Sequence, residues 1–166
     1  MNHAPRSASL VRLLAGMLGC AAIGAVVPPL HAADAHHHTV VPADAVKWGP
    51  APPSLPPGAQ AAVLLGDPKQ AGPFVLRLKF PAGFAVPPHR HTKDELVTVI
   101  AGTLGIGSGE QLDRTSVHSL QPASFVHLPA GMPHYAVAIS ETIVQINGTG
   151  PFDITYVNPK DDPRQQ

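Results

Sequence analysis

An all-β domain, a sandwich or barrel of short antiparallel strands, is the architecture that this 166-residue sequence predicts, on three observations. Twenty prolines are spread along the chain. Each removes a backbone donor and clashes with the preceding helical turn, so few windows are long enough for helices. From Ala61 onward the chain is a series of short β-branched and aromatic runs bounded by Gly and Pro, the pattern of strands joined by turns. Outside the first 35 residues no stretch keeps a helical period, and no solenoid-length repeat occurs. Composition also excludes functions. Lys+Arg and Asp+Glu are 11 each and charged residues only 13%, which leaves no clustered basic face to neutralise phosphates and argues against a nucleic-acid partner. With 44% apolar residues the chain is no disordered tail. The imbalance to follow is ten histidines against one cysteine, because imidazole is both a metal ligand and a proton carrier near neutrality.

The first element is a leader. Arg6 and Arg12 precede the small-apolar run Leu13 to Val27, which meets Pro28-Pro29 and the alanine-rich LHAADA. A basic start, an apolar middle and a small-residue cleavage zone are the pattern of a secretory signal peptide over residues 1–35. A retained membrane anchor is the competing reading, and the run is short of the roughly 20 residues a spanning helix needs. Lipidation at Cys20 fits poorly, since Met17-Leu18-Gly19 is a weak lipobox and the following segment stays apolar. The expected product is exported, periplasmic or secreted, and free of the membrane after cleavage. Cleavage takes Arg6 and Arg12 from the 11 cations and Asp34 from the 11 anions, leaving 9 and 10. It also takes the only cysteine, so no disulfide can form and stability must come from a core or a metal.

Residues 36–60 open with His36-His37-His38 and continue proline-dense. They predict an arm with one strand near Val46-Lys47-Trp48 and a stiff polyproline-like spacer. Residues 61–158 predict the barrel, with candidate strands at Ala62–Leu65, Phe74–Phe80, Glu95–Ala101, Thr103–Gly107, Ser124–Leu128, His134–Ile139, Thr142–Gly148 and Asp153–Tyr156. The second is the plainest: Phe74, Leu76, Leu78 and Phe80 alternate with Val75, Arg77 and Lys79, the mark of a half-buried antiparallel strand. Phe74, Phe80, Phe84 and Phe125 are the expected aromatic bulk of the core. Residues 159–166 are charged and proline-broken, a tail expected to lie loosely or fray.

Chemistry concentrates in GFAVPPHRHTKDELVTVIAG, residues 83–102. His89 and His91 are two apart, so an extended backbone points both imidazoles to one face. Glu95 opens the next strand and can return a carboxylate there. His134 follows a Pro-Gly turn at the start of another strand. Three imidazoles and one carboxylate make a mixed N/O site that suits Fe, Mn, Ni, Cu or Zn as a divalent ion, and such a site can leave positions open for water or substrate.

These residues resemble a family. Gly83, His89, His91, Glu95 and Gly102 fall at G-(x)5-H-x-H-(x)3-E-(x)6-G, which is similar to the first conserved motif of the cupin superfamily without a departure. Pro129, Gly131 and His134 fit the second, P-x-G-(x)2-H, while Ala123 stands where a glycine is common and Ala138 where an asparagine is common. Neither departure is at a ligand position, so local turn geometry is what they put in question. The resemblance implies an RmlC-like jelly-roll barrel, the double-stranded β-helix, of six to eight strands. It also implies that His89, His91, Glu95 and His134 are the ligands and that the flanking glycines make hairpin turns. A homodimer is compatible with it, since jelly-roll edge strands pair between subunits.

Other side chains have weaker arguments. His127 could reach the cavity as a proton shuttle, although an exposed strand histidine is the commoner case. His118 reads as solvated, Tyr135 as packing and Arg77 as outward and solvated. Gln145 and Tyr156 are candidate cavity polars. The histidine tract reads either as a solvated tail or, if cleavage exposes Asp34-Ala35-His36, as a copper- or nickel-binding terminus. The expected function is an exported metalloprotein acting on a small organic molecule by oxygenase-, decarboxylase- or isomerase-like chemistry. Its alternative is a non-catalytic metal-dependent module that binds a small ligand or senses metal.

Overall fold

The computed structural model describes residues 38–166; the expected leader over residues 1–35, and with it His36 and His37, lies outside the described residues. Among the described residues, eleven strands form two antiparallel sheets. They are β1 (Gly49–Pro50), β2 (Gln60–Leu65), β3 (Gly72–Phe80), β4 (Ala85–Arg90), β5 (Glu95–Ala101), β6 (Leu104–Ser108), β7 (His118–Leu120), β8 (Phe125–Leu128), β9 (His134–Ala138), β10 (Thr142–Gly150) and β11 (Thr155–Tyr156). One sheet runs β1-β2-β3-β10-β5-β8 and the other β11-β4-β9-β6-β7. β10 is the spine of the larger sheet, pairing along its whole length with β3 from Thr142↔Phe80 to Gly150↔Gly72, and with β5 on its other side.

The alternation of FVLRLKF produces the expected result. Phe74, Leu76, Leu78 and Phe80 are buried on the inner face and Val75, Arg77 and Lys79 half-buried on the outer one. The core closes between the sheets from these residues together with Val97, Val99, Leu104, Ile106, Val144 and Ile146, each fully buried side chain contributing about 1.5–3 kcal/mol. Phe84 joins by stacking on Phe80, centroids 4.9 Å apart. Phe125 does not join the core: it is 59% exposed, because β8 turns Val126 and Leu128 inward and Phe125 and His127 outward.

Three strands depart from expectation. The arm pairs through Gly49↔Ala61 and Pro50↔Gln60 rather than at Val46–Trp48, and Trp48 instead lies beneath the Lys79 ammonium at 4.9 Å. β4 forms across Pro87-Pro88, where missing amide donors break the ladder. Its register with β9 slips between Val86 and His89, a bulge. β7 forms in a segment that reads as polar connection, as the edge partner of β6. The tail is also more ordered than a fraying end. Pro159–Asp161 and Pro163–Gln165 are 3-10 turns capped by the side chains of Asn158 and Asp162, and Asp162 is buried.

Candidate metal centre

His89 lies on β4, His91 one residue beyond its end, Glu95 at the first residue of β5 and His134 at the first residue of β9. Since β4 and β9 belong to one sheet and β5 to the other, the four side chains bridge the two sheets. All four are buried, and one potential ligand atom from each lies within 4.8 Å of all the others. His89 and His134 are direct cross-strand partners, with ring centroids 4.3 Å apart. The Pro87-Pro88 bulge supplies the extra residue that brings His89 into this register.

Each imidazole is fixed by its Nδ1. His89 Nδ1 donates to the Pro87 carbonyl at 2.7 Å, His134 Nδ1 to the Met132 carbonyl at 3.0 Å, and His91 Nδ1 to the Asp153 carbonyl. A carbonyl only accepts, so Nδ1 carries the proton and Nε2 of a neutral ring presents its lone pair. His91 Nε2 and His134 Nε2 are 3.4 and 3.3 Å from Glu95 Oε2, and both are buried with no hydrogen-bond partner. Two buried nitrogens without a hydrogen-bond partner, beside a carboxylate, suit a cation, and the hard-to-borderline N3O donor set fits a divalent transition metal. These residues can therefore hold a metal ion.

Burial and mutual charge perturb the clustered groups in different directions. Burial pushes the His89 imidazole down to about 3, and the neighbouring His134 and His91 rings push the same way, so it is neutral at physiological pH. Burial also acts to raise Glu95 and is outweighed by the His134 and His91 rings facing it, leaving the carboxyl at about 2 and ionised. For His91, burial lowers the imidazole and the adjacent Glu95 outweighs it, for a net rise.

The supporting residues come from distant parts of the chain. Phe152 stacks on the His91 ring, centroids 4.4 Å apart and planes 15° off parallel. Asp153 accepts from the Thr92 amide at 3.0 Å and from the Thr92 hydroxyl at 2.6 Å, tying the C-terminal segment to the β4–β5 turn. Asp94 accepts from the Ala130 amide at 2.9 Å, and Gly131 donates its amide to the His91 carbonyl at 2.8 Å, which joins the β4–β5 and β8–β9 turns. The Ala130 amide, then His127, hold Asp94 below the usual carboxylate range. Sequence reasoning missed Phe152, Asp153 and Asp94. The first two have one signal, the Gly-Pro-Phe-Asp break that ends β10 and turns the chain back toward β4.

The remaining sequence candidates lie elsewhere. His127 faces outward, its side chain 47% exposed and 3.1 Å from Asp94 Oδ2, and it does not line the cavity, so a shuttle role has no geometric support. Gln145 is on the outer face of its sheet, accepting from Arg77 Nε at 3.1 Å. That bond half-buries Arg77 rather than leaving it solvated. Tyr156 packs near His89 and donates its hydroxyl to the Ser54 carbonyl at 2.8 Å, which pins the arm; burial pushes its phenol up. Tyr135 is buried, its hydroxyl donating to the Asp113 and Ser116 carbonyls. His118 is exposed.

The four residues line a cavity of about 810 Å³ between the sheets. Its outer part is lined by the Pro50–Leu55 turn of the arm, the Asp67-Pro68-Lys69 loop and Phe152, Asp153, Ile154 and Arg164, and its volume is within the range of small-molecule sites.

A family model described as "Domain of unknown function (DUF4437)" matches residues 39–163. No curated protein matches the chain by sequence. Among solved structures it is similar to a cupin 2 conserved barrel domain protein from Rhodopseudomonas palustris, with 16% identity over 70% of this chain and 80% of that one and a TM-score of 0.54. A candidate acetylacetone dioxygenase from Methylibium petroleiphilum PM1 gives 19% identity, 80% and 89% coverage and a TM-score of 0.60. The polyketide cyclase RemF from Streptomyces resistomycificus gives 16%, 78% and 92%, and 0.59. These likenesses show the fold: two antiparallel sheets closed into a cupin barrel.

Proposed function

The chain belongs to the DUF4437 family, and from that premise and its cupin fold we propose that it is a metalloenzyme that acts on a small organic molecule. His89, His91, Glu95 and His134 hold one divalent transition ion at the base of the cavity. The observation that carries this reading is the set of three Nδ1 anchors, which aim three imidazoles at one point beside Glu95 and leave two Nε2 atoms without a partner. Carbonyl anchors of this kind fix ring orientation and tautomer in ligating histidines. The ion supplies Lewis acidity and, if redox-active, electron transfer.

The chain's own residues do the rest. The carbonyls of Pro87, Met132 and Asp153 keep the Nδ1 protons away from the reacting side. Glu95 supplies the single negative charge of the site, and the apolar walls exclude water. Similarity to proteins named as a dioxygenase and a cyclase supports small-molecule chemistry without selecting the reaction. The signal-peptide pattern of residues 1–35 supports export of the mature protein, which N-terminal sequencing of the protein recovered from its host tests.

Elemental analysis tests the metal reading. One equivalent of a transition metal is expected in the protein matured in its own compartment, falling steeply in the Glu95→Gln, His91→Ala double variant. Undiminished stoichiometry in a folded double variant refutes the assignment. A loaded protein without turnover across oxygenase, decarboxylase and isomerase substrates refutes the enzymatic part alone.

A further inference from the structure

Apart from the His/Glu cluster, the depth of the cavity is apolar and mostly aliphatic, with the rings of Phe80 and Phe152 among the aliphatic side chains. Leu76 and Leu78 from β3, Val97 from β5, Ile106 from β6 and Val144 and Ile146 from β10 line it. The other polar lining residues are Ser54, Asp67, Lys69, Asp153 and Arg164, and none of them lies on a barrel strand. They sit in the arm, the β2–β3 loop and the C-terminal segment. Their charges balance, Asp67 and Asp153 against Lys69 and Arg164. Neither cation is free and buried. Arg164 is taken by Asp162 through two 2.8 Å hydrogen bonds and by the Ile154 carbonyl at 3.1 Å, and Lys69 is exposed at the rim beside Asp67.

Resting on the reading of the cluster as a metal centre, we propose that this cavity takes an uncharged, largely aliphatic molecule bearing one oxygen-rich head. The head faces His89, His91, Glu95 and His134 and the hydrocarbon body lies along β3, β5 and β10. A charged body is rejected because a buried charge without a partner is strongly unfavourable. A polyol or sugar is rejected because its hydroxyls would lose water and find neither hydroxyl nor amide side chains in the depth of the cavity. Specificity for an aliphatic body then comes from area removed from water, which scales with length: each buried methylene strengthens binding about fourfold.

The test is calorimetric titration of the full-length, metal-bearing protein with straight-chain alkyl hydroxamates from acetyl to octanoyl. Their head is a bidentate oxygen chelator and only the tail varies. Affinity is expected to rise about fourfold per methylene until the tail reaches the rim. The analogue with a terminal carboxylate is expected to bind at least about tenfold more weakly than the alkyl compound of the same length. Ala136→Leu adds volume in the same cavity and is expected to end the rise at a shorter chain, its folding checked by thermal melt. A flat dependence on chain length, or a carboxylate tail bound as tightly as an alkyl one, overturns the proposal. Failure of the metal reading looks different: elemental analysis of the same sample finds no ion and every affinity drops together, while the slope with chain length still reports on the cavity.

Discussion

Stripping the metal from the folded protein should destabilise it by an amount set by the two orphaned nitrogens. His91 Nε2 and His134 Nε2 are enclosed without a hydrogen-bond partner. Each such group costs about 1–3 kcal/mol when left unsatisfied, so an ion that engages both relieves about 2–6 kcal/mol. For a domain between the 100- and 150-residue benchmarks, 1 kcal/mol corresponds to about 4 °C in melting temperature, giving an expected drop of about 8–24 °C. The assay is differential scanning calorimetry at neutral pH with and without a chelator, followed by return of Zn, Mn, Ni or Fe in turn. The melting temperature should recover with at least one of them, and its value should depend on free metal concentration by mass action. In Glu95→Gln the response to chelator should shrink. The variant keeps the shape of the side chain while removing the charge that the His91 and His134 rings face. Identical melts before and after chelation, with elemental analysis showing that the ion has left, would falsify the argument. The three histidines would then be ordinary buried groups satisfied by the fold itself.

Ala123 has φ 71°, a left-handed conformation that favours glycine, and Ala123→Gly should stabilise the protein by about 1 kcal/mol in chemical denaturation; no gain there would mean that the turn relaxes in solution. At Gly102, with φ 76°, an added Cβ would lie 2.0 Å from the Glu141 carbonyl oxygen, so Gly102→Ala should cost more than about 2 kcal/mol, read as a loss of soluble folded protein. Phe152→Ala removes the stack on His91 and should weaken metal affinity about 10- to 100-fold in competition with a chromogenic chelator. Asp162 is held below its ordinary value of 3.8, first by its hydrogen bonds from Arg164. A depressed carboxyl contributes stability above its unfolded pKa and loses it as pH falls through the folded one, so melting temperature should fall below pH about 4 and Asp162→Asn should flatten that acid limb.

The clustering of His89, His91, Glu95 and His134 was legible because its geometry is local. A two-residue spacing on extended chain and a short turn to Glu95 fix three of the four side chains, and a Pro-Gly turn places His134 at the head of its strand. The inner strands were legible for the same reason, since β3, β5 and β10 alternate in burial residue by residue. What the sequence concealed are the parts where tertiary pairing overrides local preference. Two prolines argue against a strand, yet β4 forms there because β9 and β11 flank it and the bulge absorbs the missing donors. His118-Ser119-Leu120 has no strand signal beyond the edge that β6 offers. Phe152 and Asp153 support His91 from about 60 residues away, a contact that depends on where β10 ends and not on any pattern near either partner.

The second histidine motif shows why departures from a pattern can leave a site intact. Alanine at position 123 raised doubt about the turn into β8, because a Cβ disfavours positive φ. The turn is nevertheless kept: the Ala123 amide donates to the Val99 carbonyl at 2.9 Å and the Val99 amide to the Ser124 carbonyl at 3.0 Å. Two ladder bonds into β5 hold the strained residue in place, and neither involves a residue of the His/Glu cluster. Alanine at position 138 is buried, and its backbone does the work at that corner, donating to the Phe84 carbonyl and accepting from the Gly83 amide, both at 2.8 Å. Both positions therefore serve the barrel through main-chain hydrogen bonds, which do not depend on the side chain. The clustered His89, His91, Glu95 and His134 instead meet through their side chains, so a substitution there changes the cluster itself. Alanine at 123 and 138 therefore leaves the strands in place that bring His89, His91, Glu95 and His134 together.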